Sequence, residues 1–201
     1  MNSTPTPDVA AWSEGRSRLY EAAIEAFATR GFHATTTRDI AAAAGMSPAA
    51  LYAHHRTKEE LLYVIAMRGH ETSLALVRQA IASHDDPVEA LRELAHSFAE
   101  FHATSHTTAR VLNYELAALA PAHRADVDEL RHHIDHETRA LVQRGVREGA
   151  FATPNATMAA TAIISLGVDV ARWFSEGHHW TAQQVADFYA DAALRIVGAV
   201  R

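Results

Sequence analysis

The turn Gly45-Met46-Ser47 constrains this chain more than any other feature. It separates two helical segments of about eight residues, each too short to hold together alone in water. Thr36 or Thr37 caps the first, which Gly45 ends. Ser47 followed by Pro48 opens the second, a capping hydroxyl with proline at the first helical position. Ile40, Ala41, Ala44 and Leu51 are placed to pack the pair against a preceding helix, in which Leu19, Ala23 and Phe27 recur at i, i+4, i+8 and which Gly31 stops. This is a helix-turn-helix plan, whose second helix enters the major groove of DNA with its N-terminal end foremost. The small Ala49 and Ala50 let the backbone approach the bases, while Tyr52 and His54 carry polar tips on stiff rings, suited to phosphates or base edges. The capped helix starts turn free N–H groups toward phosphate oxygens.

The pattern stays helical almost to the end, and no run alternates like a strand. Thr57-Lys-Glu-Glu60 reads as a capping box opening a fourth helix, with Leu61, Leu62, Ile65 and Ala66 on its apolar side. Asp86-Pro87 starts a fifth with a stripe of Val88, Leu91, Leu94, Ala95, Phe98 and Phe101. A sixth carries Leu112, Leu116 and Leu119 up to Pro121, and a seventh runs from about Ala122 to Glu148. Residues 156–174 are apolar nearly all round, as in a helix buried on several sides, either in a core or against a partner chain. Thr181-Ala-Gln-Gln184 caps the last. The fold class is therefore all-α, with about nine helices. Residues 1–14, with Pro5 and Pro7, predict a flexible tail; 15–62 the helix-turn-helix domain; and 63–201 a second helical domain.

A net charge of −6 argues mildly against a nucleic-acid binder, but residues 1–62 hold six Arg/Lys against seven acids, a net of only −1. DNA binding here must rest on the placement of a few cations. The absence of cysteine excludes disulfides, thiolate nucleophiles and Cys-ligated metals. No apolar run reaches membrane-spanning length and the start carries no export signal, so a soluble, cytoplasmic protein without membrane contact is expected. No nucleophile elbow, phosphate loop or metalloprotease signature appears, so no enzyme and no cofactor are expected.

The segment "FATRGFHATTTRDIAAAAGMSPAALYAHH", followed by "TKEEL", resembles the TetR family of transcriptional regulators. The family's S-x-x-x-L-Y-x-H-F element reads Ser47-Pro-Ala-Ala-Leu51-Tyr52-Ala-His54-His55, with His55 where phenylalanine is usual. The resemblance implies DNA contacts from Thr36, Thr37 and Arg38, from Ser47, Pro48, Ala49, Tyr52 and His54 on the recognition helix, and from Lys58 as a phosphate-binding lysine. It also implies that the C-terminal domain binds a small-molecule effector and dimerises through helices near 156–175 and 182–199, so that a homodimeric repressor meets a palindromic operator. The end "VARWFSEGHHWTAQQVADFYADAAL" is similar to regulators of fatty-acid and steroid catabolism that respond to acyl-CoA thioesters.

Asp169 and Arg172 stand three apart on the apolar helix, either as an ion pair or, with Trp173, as a contact for an acidic ligand group. His102, Asn113 and Tyr114 fall in the region that lines the effector cavity in this family. His132 and His136 have the i, i+4 spacing of a two-histidine metal site, with His133 beside them, although a run so rich in charge is more often a solvated face. Other readings are a helix-turn-helix activator and a metal-responsive regulator using that histidine region.

Overall fold

The computed structural model describes residues 14–199, the side chains of Ala53 and His54 excepted. Most of the predicted tail therefore lies outside the described residues, and Glu14 already belongs to the first helix. Nine α-helices are found among the described residues: α1 Glu14–Ala34, α2 Thr37–Ala43, α3 Pro48–His54, α4 Lys58–Ser83, α5 Pro87–Thr104, α6 His106–Tyr114, α7 Pro121–Arg147, α8 Ala156–Trp173 and α9 Ala182–Ile196. A short 3₁₀ turn, Leu116–Ala118, lies between α6 and α7.

The chain folds as two compact units. The first comprises residues up to His70 together with Arg110–Asp128; the second comprises Glu71–Ala109 and Glu129 onward. In the first unit Leu19, Ala23 and Phe27 of α1 meet Ile40 and Ala41 of α2, Leu51 of α3 and Leu61, Leu62 and Ile65 of α4 in one apolar cluster. Val111, Leu112, Leu116, Leu119 and Val127 complete that cluster, so a segment far along the chain belongs to the core of the N-terminal module. Helical spacing identifies each apolar face, yet it does not say that residues 110–128 join this core rather than the other.

Local chemistry explains the helix ends. Gly31 leaves the helix with φ 76°, ψ 161°, and α1 ends one turn later at Ala34. Thr36 caps α2 reciprocally with Asp39, Ser47 accepts from the Ala50 N–H, and Asp86 and Asn155 cap α5 and α8. The capping box expected at Thr57 is altered. Thr57 Oγ1 accepts from the Glu60 N–H at 3.0 Å, but the Glu60 carboxylate turns to the Arg56 N–H at 2.7 Å, one residue earlier. The sixth helix also stops sooner than its apolar spacing suggests, because Leu116 and Leu119 are carried into the core by the 3₁₀ turn.

The second unit is built on α5, whose Leu91, Leu94 and Phe98 pack with Ile163 and Ile164 of α8 and Ala193 and Leu194 of α9. Gly167 allows α8 to approach closely: a Cβ there would stand 2.6 Å from Cδ1 of Phe98. Gly145 serves α7 in the same way, because the Phe151 ring folds back upon it. No strand forms among the described residues beyond a single bridge, Phe151 to Ala199.

Candidate nucleic-acid interface and effector residues

Ser47, Pro48, Ala49 and Tyr52 of α3 are all exposed, whereas Leu51 and the α2 residues behind it are buried. The Tyr52 ring is 52% exposed, and its hydroxyl lies 3.1 Å from Thr37 Oγ1 on α2. This bond ties the outer edges of the two helices together and restricts a side chain that solvent would otherwise leave free. Thr36, Arg38 and Asp39 border the same edge. Thr36 hydrogen bonds hold the Asp39 carboxyl below its ordinary range, with Arg30 at 4.0 Å adding to the effect. Arg38 is exposed. The side chain of His54 lies outside the described residues.

Lys58 sits differently from the phosphate-binding lysine that the resemblance implies. Its ammonium donates to the carbonyl oxygens of Phe32 at 2.7 Å and Thr35 at 2.9 Å, approaches that of His33 at 3.4 Å, and lies 4.3 Å over the Phe32 ring. It therefore braces the corner between α1 and α2, a role that local spacing does not reveal. His55 is 3% exposed, so an imidazole fills the core position usually taken by phenylalanine.

The effector candidates divide between the units. Asn113 and an exposed Tyr114 belong to the first; His102, Asp169, Arg172 and Trp173 belong to the second. Arg172 grips Asp169 side-on, Nε to Oδ1 at 2.6 Å and Nη2 to Oδ2 at 2.9 Å, and this bond holds the Asp169 carboxyl below its ordinary range. Burial raises the pKa of Tyr189, and Trp173 packs edge-on to Trp180 and His178. The apolar crevice between α5, α8 and α9, lined by Leu94, Phe98, Ile163, Gly167 and Tyr189, encloses about 10 Å³. An organic ligand needs a few hundred Å³, and none of the six candidates lines this crevice. Phe98 and Tyr189 do line it, and in the sequence Phe98 reads only as part of the apolar stripe of the fifth helix.

His102 is buried with Nδ1 2.8 Å from the Phe98 carbonyl, which can only accept, so the proton resides on Nδ1. Burial lowers its pKa from the ordinary 6.5. The unfolded chain then binds a proton that the folded chain refuses, so the stability of the neutral form is present above about 6.5 and is lost as pH falls below it. His102→Leu is expected to narrow the difference in Tm between pH 7.5 and pH 5.5; an unchanged difference would show that His102 protonates freely in the fold.

His132, His133 and His136 lie on the exposed side of α7, where Glu129 is 3.9 Å from His133. No grouping of three or more His, Asp or Glu able to hold a metal ion occurs among the described residues. No helix among them is long and apolar enough to cross a membrane.

A closed helix-turn-helix with an uncovered second helix, followed by a helical C-terminal unit, defines a DNA-binding regulator of transcription. Residues 19–64 match the model for bacterial regulatory proteins of the TetR family, and residues 84–197 match the tetracyclin repressor-like C-terminal domain. The chain belongs to the TetR family. It is 32% identical over 183 residues to the HTH-type transcriptional repressor KstR2 of Mycobacterium tuberculosis, covering 89% of this chain and 90% of that protein. The crystal structure of a tetR-family regulatory protein from Rhodococcus RHA1 is 37% identical, with a TM-score of 0.88 over 94% of this chain and all of that one. The structure of AibR, in complex with isovaleryl coenzyme A and operator DNA, shares the fold at 22% identity and a TM-score of 0.77, covering 90% of this chain and all of that one.

Proposed function

We propose that this protein is a homodimeric repressor that grips a near-palindromic operator through paired α3 helices and releases it when a hydrophobic acid or its acyl-CoA thioester binds. The observation that carries the reading is the exposed end of α3 on a closed module, with the Tyr52 hydroxyl held by Thr37. Thr36, Thr37, Arg38, Ser47, Pro48, Ala49, Tyr52 and His54 form the contact surface, and Lys58 shapes it from behind. Repression, rather than activation, is favoured by likeness to KstR2 repressors over nearly the whole chain. The effector class follows the resemblance of the C-terminal end, and the AibR fold accommodates both a CoA thioester and DNA. His102, Asp169, Arg172 and Trp173 are the proposed effector contacts in the second unit, and Asn113 and Tyr114 are the candidates in the first. A ligand drives release only as far as its affinities for the two states differ.

Selection of random duplexes by the purified protein, followed by a thermal-shift screen of acyl-CoAs, free acids and steroids, tests both halves of the reading. A palindromic consensus, and a ligand that raises Tm while weakening binding to that consensus, are the expected results. Failure to enrich any sequence would overturn DNA recognition, and a ligand that stabilises without weakening would overturn release.

Dimerisation has its own test. Met158 and Leu166 on α8 and Phe188 on α9 are large apolar side chains left in water, Phe188 being 64% exposed. A two-fold interface that sets this surface against its copy would bury all three twice. Phe188→Glu is expected to convert a dimer to a monomer in sedimentation at micromolar concentration. An unchanged dimer would move the interface elsewhere.

A further inference from the structure

The first unit holds a residue that shapes the DNA-reading helices without lying on their surface. We propose that Glu115, between α6 and the 3₁₀ turn, positions α2 and α3 by holding the main chain at the end of α1; this rests on the DNA-binding reading above. The break at Gly31 turns the Phe32 N–H out of the helical ladder, and Oε2 of Glu115 accepts it at 3.1 Å across 83 residues of sequence. The Phe32 carbonyl accepts from the Lys58 ammonium at 2.7 Å. One residue is thus held at its donor by an anion and at its acceptor by a cation, both stronger than neutral partners would be. Phe32 itself is buried, with its ring 5.4 Å from that of Phe27, so its backbone groups have little water to fall back on.

The consequence runs directly into the contact surface. Thr35, fully buried, places Oγ1 2.8 Å from the Gly31 carbonyl oxygen, and its own carbonyl accepts from Lys58. Thr36, the next residue, caps α2, and Thr37 bonds to Tyr52 on α3. A displacement of Phe32 therefore reaches the recognition helix through five consecutive residues and one hydrogen bond. Glu115 is itself anchored. Leu112, Leu116 and Leu119 around it lie in the shared core, and Glu59 of α4 accepts both the Ala120 N–H at 2.8 Å and His123 Nδ1 at 2.9 Å. Tyr63 stacks on His123 and donates to Asp126 at 2.8 Å. Residues 110–128 are in this way fastened to the start of α4, and Glu115 is their contact with the end of α1.

The test uses the full-length protein with Glu115→Ala, Glu115→Asp and Glu115→Gln. Glutamine keeps an oxygen that can accept the Phe32 N–H; aspartate draws the carboxylate back by one methylene. Amide hydrogen exchange over residues 27–37 and binding to the selected duplex and to a scrambled duplex of equal length are measured. Faster exchange in the alanine and aspartate variants is expected, with affinity for the selected duplex about tenfold weaker, the loss expected for one charged hydrogen bond per subunit that acts indirectly. Scrambled-duplex binding should stay within about twofold, and glutamine should restore both exchange and affinity. Unchanged exchange, unchanged selected-duplex affinity, or equal weakening of both duplexes would overturn the proposal. Should alanine fail to fold, aspartate carries the same comparison. If selection yields no duplex, the DNA-binding reading fails, while exchange still decides whether Glu115 holds the corner.

Discussion

Replacing Tyr52 by alanine is expected to weaken operator binding about a hundredfold while leaving Tm unchanged within about 1 °C, because the side chain stands outside the core. A phosphate oxygen can only accept, so a Tyr52 hydroxyl that meets one donates to it and accepts from Thr37 Oγ1. A hydrogen bond to a charged group contributes about 1.5 kcal/mol, and a two-fold complex loses it twice, about 3 kcal/mol in all. Tyr52→Phe should lose nearly as much, since the ring remains but the donor goes. Thr37→Ala should cost less, about threefold to tenfold, because it frees the hydroxyl without removing it. None of the three substitutions removes a charge, so the dependence of binding on salt should keep its slope, whereas Arg38→Ala should reduce it if that guanidinium meets a phosphate. Fluorescence anisotropy with the selected duplex at several salt concentrations reads all of this. A Tyr52→Ala variant that binds within twofold of the wild type would remove Tyr52 from the interface.

The largest effect on stability is expected at Gly145. Near the end of α7 the Ala150 N–H returns to the Gly145 carbonyl at 2.8 Å and the Gly149 N–H to the Val146 carbonyl at 3.2 Å, with Gly149 at φ 77°. This C-cap reverses the chain and lays the buried Phe151 ring on the helix, where a Cβ at 145 would meet ring atoms at 2.2 and 2.3 Å. An aromatic ring cannot bend away as a flexible side-chain end would, so Gly145→Ala must displace Phe151 or the turn that delivers it. Overpacking of this kind costs about 3 kcal/mol, and alanine's better helix propensity returns about 1 kcal/mol. The net of about 2 kcal/mol should lower Tm by about 4–8 °C for a chain of this size. A second substitution, Phe151→Ala in the Gly145→Ala background, should cost less than Phe151→Ala alone, since the clash and the ring disappear together. Additive costs would mean that the ring and the glycine do not meet.

The contrast between Gly149 and Gly145 shows what could be read from the chain alone. Gly149 follows a long helical pattern, and its role as a terminator is local, so it is legible from sequence. Gly145 lies inside that pattern and would read there only as a weak helix former; its purpose depends on where Phe151 arrives. The helix-turn-helix was legible for the same reason as Gly149. Caps, turn and apolar spacing all act within a few residues, and together they specify which helices form and which faces are buried. Lys58 is legible as a lysine within the resemblance, but its three carbonyl partners belong to another helix's end, so its inward turn is not.

The sequence by itself determined an all-helical chain and a helix-turn-helix read within residues 15–62, because short-range caps and periodic apolar faces leave few alternatives. The tertiary structure decided what those residues lean on. Residues 110–128 share the module's core, Lys58 and Glu115 hold Phe32 from opposite sides, and Thr37 steadies Tyr52. The hydrogen bonds among these join groups 15 to 83 residues apart, and no local pattern records such a pairing because a hydrogen bond depends on distance in space, not along the chain.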